Sequence, residues 1–544
     1  MSESTLFLRK ATGLVRSWSV FDAFIYAFFS INLVTLGLYI FSQMYYLEGS
    51  LLETTIVSGV IILAEVVVYA GLIAVMPRAG GDYVWQSRIL GSGVGFVLAV
   101  TGWWFILWLW TPLYADMLRH TFFVPVLGIL GLKDAAQYFA WDPAGWFIVS
   151  IITVAFVTLV IALGMRAYAR VQRFCFWVGM AGLAVVFLFL LFGNNADFRA
   201  GLEAQAPAQF GAQAGGLYDA TIAAGQEAGA VIPLAGGSLA AIFLAMPYIV
   251  FFNLWPNWGA TLYGEVKGAN DFKKNVWGMA GALIVTTILA VVFFLLISKT
   301  ISWEFYTNAN GAYWNYRWGF TDQVPPLSVW PYPAMLAMFL TPSPILQLVV
   351  ILAMSMWFFG WAGTVFLSST RVIFAAAFDR VLPEAVAAVE PRTRTPIWAL
   401  ALMVLPGLIV SALYVWNIAD FASLTLMSTL VIAVTFLGTT IAAILLPYTK
   451  KELYEASPIA KYKIAGIPLI TVAGVIFAAF LIYLLYQWLI DPNELYGISY
   501  RNQASMIYML VMYGLALLIF LGARFYRRRQ GIDLGLVYKE IPVE

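Results

Sequence analysis

Asn253-Leu-Trp-Pro-Asn-Trp-Gly259 sits inside an apolar stretch that runs over residues 239–263. Pro256 removes a backbone donor, Gly259 weakens a helix, and Asn253 and Asn257 add side-chain amides. Each is costly in hydrocarbon and is tolerated at membrane depth only where protein or a hydrated cavity surrounds it. Discontinuous helices of this kind are how many secondary transporters build a site near the bilayer midplane. The stretch therefore predicts a membrane protein whose chain leaves regular helix around residues 253–259.

Composition agrees. Of the 544 residues 62% are hydrophobic and 11% charged, against ~50% and ~25% in soluble domains. Twelve apolar stretches, about 20–42, 54–76, 92–117, 144–164, 174–193, 239–263, 276–298, 341–369, 397–416, 421–446, 465–490 and 504–523, are candidates to cross hydrocarbon ~30 Å thick. The short Trp416–Phe421 connection matters most, because reading it as helix interior would invert everything downstream. No A-x-A-like cleavage site precedes residue 20, so insertion is expected to begin with the first stretch. Lone Cys175 excludes an intramolecular disulfide.

Charge tests the count. With a cytoplasmic N-terminus, every basic residue falls at a cytoplasmic end except Arg119, Lys133, Arg199, Lys299, Arg317 and Arg501. Such a bias follows the positive-inside rule and predicts a multi-pass cell-membrane protein with both termini cytoplasmic. The basic clusters, Arg9 and Lys10 among them, are spread over separate loops near span ends. Orientation and contact with lipid headgroups explain them, and nothing in them points to nucleic acid. No nucleotide-binding loop is present, which disfavours an energy-coupled pump.

Two external segments are long. Residues 194–237, rich in Gly, Ala and Gln, read as a surface loop with a short helix. Residues 300–338 carry Trp303, Tyr306, Tyr313, Trp314, Tyr316, Trp318, Trp330 and Tyr332. Aromatic residues with a polar tip suit a membrane interface; the sharper alternative is a cap over an outward vestibule.

Three segments together resemble the amino acid–polyamine–organocation (APC) family of transporters. They are Met76-Pro-Arg-Ala-Gly-Gly-Asp-Tyr-Val-Trp85, then Gly264-Glu-Val-Lys267, then Ser369-Thr-Arg371 through Ala377-Phe-Asp-Arg-Val-Leu-Pro383 with Arg394-Thr-Pro396. The resemblance covers nearly the whole chain from about residue 18. It implies an all-α integral membrane protein with twelve transmembrane helices, in a 5+5 inverted-repeat architecture with helices 1 and 6 broken. The divisions expected are a cytoplasmic N-terminus 1–19, a first repeat 20–193, an external loop 194–237, a second repeat 238–446, helices 11 and 12 over 447–523, and a cytoplasmic tail 524–544. The family's glycine triplet at the first break is not kept: Ser30-Ile-Asn-Leu-Val-Thr-Leu-Gly37 has Gly37 alone. Ordinary α-amino acid recognition by bare backbone is correspondingly less assured.

Ser30, Asn32, Thr35, Gly37, Asn253, Trp255, Asn257, Trp258 and Trp104 are the candidate substrate-binding residues. Amides orient polar groups, and tryptophan faces pack aliphatic matter or an ammonium. For Trp104, which shares a helix face with Trp108, interhelical or lipid packing is the competing reading. Glu65 is the one carboxylate deep in a stretch and is either an ion-coupling group or a structural hydrogen-bonding one. Ser368, Ser369 and Thr370 could offer oxygens to Na⁺ or bond their own helix. Arg78, Arg371 and Asp379, with Arg380, are the candidate gating charges; Asp82 is expected to stay in water or pair, and Glu265 reads as a charge of a cytoplasmic loop. The segment after Gly81 reads as an amphipathic helix along the cytoplasmic face, and His120 as an interfacial residue.

These readings converge on secondary active transport of amino acids or related organic amines by alternating access, not an enzyme. Lipids are the surroundings, no cofactor is required, and Na⁺ coupling, H⁺ coupling and uncoupled exchange all fit. The alternative is a non-transporting receptor or a channel on the same scaffold.

Overall fold

Twelve helices among the described residues are long and apolar enough to cross a membrane. In order they are spans 1 to 12: Val20–Gln43, Leu51–Val75, Ser92–Ile129, Pro143–Ala162, Met165–Phe192, Leu239–Glu265, Phe272–Arg317, Pro344–Phe378, Ile397–Val415, Ser428–Thr449, Leu469–Ile490 and Gln503–Arg529. The structure, a computed structural model, describes residues 13–539, so Arg9 and Lys10 lie outside it. Each expected stretch coincides with one span. Asn417, Ala419 and Asp420 adopt left-handed φ of 45°, 54° and 56°, which stops the helix between spans 9 and 10. Side-chain caps start others: Asp142 before Pro143, Ser238 before span 6, and Ser343 before Pro344.

Burial sorts the spans. The apolar window of span 1 is 89% buried and that of span 12 only 17%, placing one at the centre and the other at the rim. Phe174, Trp177, Trp398 and Leu518 face outward as apolar surface suited to lipid. The molecule is thus a multi-pass integral membrane protein.

Both long loops are more ordered than composition suggests. Residues 194–237 form two helices, Asn195–Phe210 and Leu217–Glu227. Phe198, Leu202, Ala206 and Phe210 repeat every four residues and give the first helix one buried stripe, hidden in a small-residue sequence. In 300–338 span 7 breaks at Ser302 (φ 81°) and resumes as a helix over Trp303–Arg317. Tyr306, Tyr313, Trp314, Trp330 and Tyr332 are buried in protein, not spread on an interface. The Trp314 and Trp330 indoles donate to Ser42 Oγ at 2.9 and 3.1 Å, capping the end of span 1.

Spans 1 and 6 are interrupted. In span 1 the α-helix ends at Ile31, Asn32 turns left-handed (φ 43°), and a π-helical Leu33–Gly37 precedes Leu38–Gln43. Asn32 Oδ1 accepts the Thr35 N–H at 3.0 Å, and its Nδ2 donates to the Trp357 carbonyl at 3.1 Å. Gly37 makes room for Phe252: a Cβ there would lie 2.8 Å from that ring. In span 6 the α-helix ends at Asn253 and the remainder, Pro256–Glu265, is 3₁₀. No unbroken rod crosses residues 250–260.

Asn32→Ala should destabilise the protein by about 2–3 kcal/mol, through the lost cap and the left-handed backbone. Asn32→Gly should cost about 1 kcal/mol less, because it loses the same side-chain hydrogen bonds but adopts the left-handed turn without strain. Unfolding of the detergent-solubilised variants measures both; equal losses would mean the backbone turn carries no strain.

Candidate substrate site and its gates

The two interruptions meet spans 3 and 8 around a small, nearly closed central cavity. Span 1 contributes Ser30 and Leu36, span 3 Trp110 and Tyr114, span 6 Trp255 and Trp258, and span 8 Trp361, Thr364 and Val365. Larger hollows lie near Glu265 and Arg394 and near Tyr248 and Trp488. Only the central one is bounded by both interruptions. Trp103 backs Trp258 with ring centroids 4.4 Å apart, and Tyr114 lies against Trp361 at 3.7 Å.

Of the sequence candidates, Ser30, Trp255 and Trp258 line the cavity. Asn32, Thr35 and Gly37 build the turn beside it. Asn253 Oδ1 accepts from Ser58 Oγ of span 2 at 3.0 Å. Asn257 is buried, with its side-chain amide beside the Tyr69 hydroxyl of span 2. Trp104 donates to the Leu402 carbonyl of span 9 at 3.1 Å, the interhelical packing reading. Sequence reasoning passed over Trp110, Tyr114, Trp361 and Thr364. The i, i+4 spacing of Trp110 and Tyr114 was the available signal for one wall.

A family model described as amino acid permease matches residues 19–517. The chain belongs to the amino acid permease family, within the APC superfamily. No curated relative matches it.

Buried ion pairs lie on both sides of the cavity. At the end where span 1 begins, here the basic end, Arg371 of span 8 binds both oxygens of Glu265, which ends span 6, at 2.6 and 3.2 Å. Both side chains are essentially unexposed, so Glu265 is not a solvated loop charge. Trp18 fits beneath: its N–H donates to the Glu265 carbonyl, its carbonyl accepts from Lys267, and its indole donates to the Met165 carbonyl. Asp379 pairs with Arg88, at 2.6 and 2.8 Å, rather than with Arg371, and also accepts from Tyr83. Arg78 is half-buried and donates to the Pro77 carbonyl. At the opposite end Asp116 of span 3 accepts from Tyr39 of span 1 at 2.5 Å, Arg119 at 2.7 Å and Arg317 at 3.1 Å. His120 is buried beside this cluster, 3.2 Å from the Tyr313 hydroxyl, not at a lipid interface.

The glycine motif after span 2 is an insertion, not a surface turn. Gly80 (φ 94°) donates to the Thr261 carbonyl in the 3₁₀ part of span 6. A Cβ on Gly81 (φ 39°) would come within 3.0 Å of the Ala260 backbone. The following helix, Asp82–Ile89, is buried along nearly its whole length instead of lying on the membrane face. Asp82 is buried too, accepting from Tyr69 at 2.7 Å and Thr439 at 2.6 Å.

Glu65 is fully buried, lies within electrostatic reach of Asp82 and Tyr69, and neither carboxylate oxygen has a hydrogen-bond partner among the described residues. Ser369 and Thr370 bond back to Val365 and Phe366 of their own helix. Only Ser368 reaches across, to the Trp258 carbonyl at 2.9 Å and the Tyr26 hydroxyl at 2.7 Å. The three hydroxyls therefore do not converge as a Na⁺ cage. Among the described residues no three His, Cys, Asp or Glu side chains gather as a metal ligand set.

Burial raises the Asp82 carboxyl to about 6, against the hydrogen bonds from Thr439 and Tyr69 that lower it. Its folded value lies above the ordinary 3.8. The stability it contributes is thus fully present below that value and lost as pH rises through about 6. Thermal unfolding in detergent across this window should fall for the native protein and fall less for Asp82→Asn; parallel profiles would contradict the assignment.

Proposed function

We propose that the permease is a secondary transporter that carries a small organic amine or amino acid by alternating access. The observation that carries this reading is the central cavity, bounded by two interrupted spans and enclosed between two separate sets of buried ion pairs. A solute held there reaches one side when the Glu265–Arg371 lock opens and the other when the Asp116 cluster opens. The ends of the broken helices supply fixed partial charges to it.

The 5+5 inverted-repeat organisation is part of the same proposal, with repeats over 20–193 and 238–446 and spans 11 and 12 outside over 447–523. Spans 1 and 6 are the first members of the two repeats, spans 3 and 8 the third. These four line the cavity, as that symmetry requires. The residues 194–237 connect the repeats, and 300–338 cap the external end. The basic end, with the segments 1–19 and 524–544, is assigned to the cytoplasm from its charge.

For coupling, the reading favours a proton on Glu65 over Na⁺ at Ser368, Ser369 and Thr370. Among the described residues neither Glu65 oxygen has a hydrogen-bond partner, and the three hydroxyls point to three different carbonyls rather than to one point. Glu65 adjoins Tyr69, which lies beside Asn257 in the second half of span 6, so its charge can bias that segment. Reconstituted protein should show saturable uptake that an imposed inward proton gradient stimulates and a sodium gradient does not. Glu65→Gln should abolish the stimulation while exchange survives. Unchanged stimulation in Glu65→Gln would remove the proton role, and absence of any saturable uptake or exchange of amines and amino acids would remove the transport reading.

A further inference from the structure

We propose that the hollow beside Glu265 at the basic end is a headgroup site for an anionic phospholipid. Three segments from distant parts of the chain form it. They are the arm before span 1 at Val15 and Ser17, the turn between spans 4 and 5 up to Arg166, and the loop after span 8 from Pro391 to Arg394. The segments are pinned to one another. The Trp18 indole donates to the Met165 carbonyl at 2.9 Å, and Thr395 Oγ1 donates to the Ile161 carbonyl at 3.2 Å. The fold itself therefore holds the walls in place.

Charge gives the sign of the ligand. Arg166, Arg392 and Arg394 line the hollow, and none of them makes an ion pair or a side-chain hydrogen bond among the described residues. The one acid on the wall, Glu265, is buried and has both oxygens on Arg371. Three like charges around one space repel, and a bound anion offsets that repulsion. Guanidinium forks match phosphate oxygens, two N–H groups to two oxygens.

Neutral groups point to the same chemistry. Ser17 Oγ and Thr393 Oγ1, both on residues of the wall, are shielded from water and have no hydrogen-bond partner among the described residues. Each hydroxyl can donate to a phosphate oxygen. Span 5 starts at Met165 with no side-chain cap, so the first N–H groups of that helix add positive partial charge beside Arg166.

Position favours a lipid over a free phosphate. Leu163 on the wall is 55% exposed, and Trp398, four residues beyond Arg394, is 62% exposed. Apolar side chains on the outside of the spans meet lipid, and tryptophan favours the boundary between lipid and water. The arginines thus lie at headgroup depth, on the end of the molecule where basic side chains gather and attract anionic lipid. A headgroup held there would tie the arm to the loop after span 8, next to the Glu265–Arg371 pair, and stabilise that end. The site is independent of which solute the permease carries.

The test titrates full-length, delipidated protein in detergent with dioctanoylphosphatidylglycerol, dioctanoylphosphatidylcholine or inorganic phosphate, and reads thermal unfolding by tryptophan fluorescence. The two lipids share a phosphodiester and differ in net charge. Phosphatidylglycerol should raise the unfolding temperature saturably, and the other two should not at equal concentration. Arg166→Gln and Arg392→Gln should each weaken its apparent affinity about fivefold. Lys273→Gln, which removes a basic residue at the start of span 7, should leave the affinity unchanged. All three side chains are exposed, so the variants should fold. Equal stabilisation by phosphatidylcholine, or none by any of the three, overturns the site. Equal stabilisation by inorganic phosphate overturns the lipid as its occupant. An equal loss in Lys273→Gln reduces the effect to general surface charge and overturns the site as well.

Discussion

A peptide N–H or C=O without a partner in hydrocarbon costs several kcal/mol, and the interruptions in spans 1 and 6 release such groups in the middle of the bundle. The surrounding architecture supplies their partners. Asn32 turns the chain of span 1 and satisfies the next turn with its own amide while holding a carbonyl of span 8. Span 6 continues as a 3₁₀-helix whose Thr261 carbonyl takes the N–H of Gly80 and whose Trp258 carbonyl takes the hydroxyl of Ser368. This requirement also explains why span 1 is the most enclosed of the twelve.

One ten-residue segment, Pro256–Glu265, therefore serves three ends. Trp258 is a wall of the cavity, Thr261 holds the glycine loop that follows span 2, and Glu265 locks to Arg371 at the basic end. In the proposed mechanism, opening the Glu265–Arg371 pair would act on the cavity wall through this shared segment. The opposite end is closed separately by Asp116, Tyr39 and Arg317, so one end can open while the other stays shut.

The span count, the charge-bearing loops and the break at residues 253–259 were legible in the chain, because lipid imposes simple demands of length and polarity. Trp258 and Trp255 were legible for the same reason, lying beside Pro256. Trp110, Tyr114 and Trp361 were not, since in so aromatic a protein only tertiary position separates a cavity wall from packing, as Trp104 against span 9 illustrates. Charges were the harder case. Asp82 and Glu265 look like loop residues in sequence, but the loop carrying Asp82 is inserted between helices, and each acid finds its partner on a distant span. Partners chosen across the bundle, such as Arg88 for Asp379, leave no trace in local spacing.

Distances between spin labels across the two ends put the mechanism to the test. With Cys175 replaced by serine, one label pair at Lys273 and Arg392 reports the basic end and another at Leu239 and Trp416 the opposite end; all four positions are exposed. Alternating access requires each pair to sample two distances, with substrate or a pH step lengthening one while shortening the other. A single, unchanging distance for both pairs under every ligand and pH condition would contradict it.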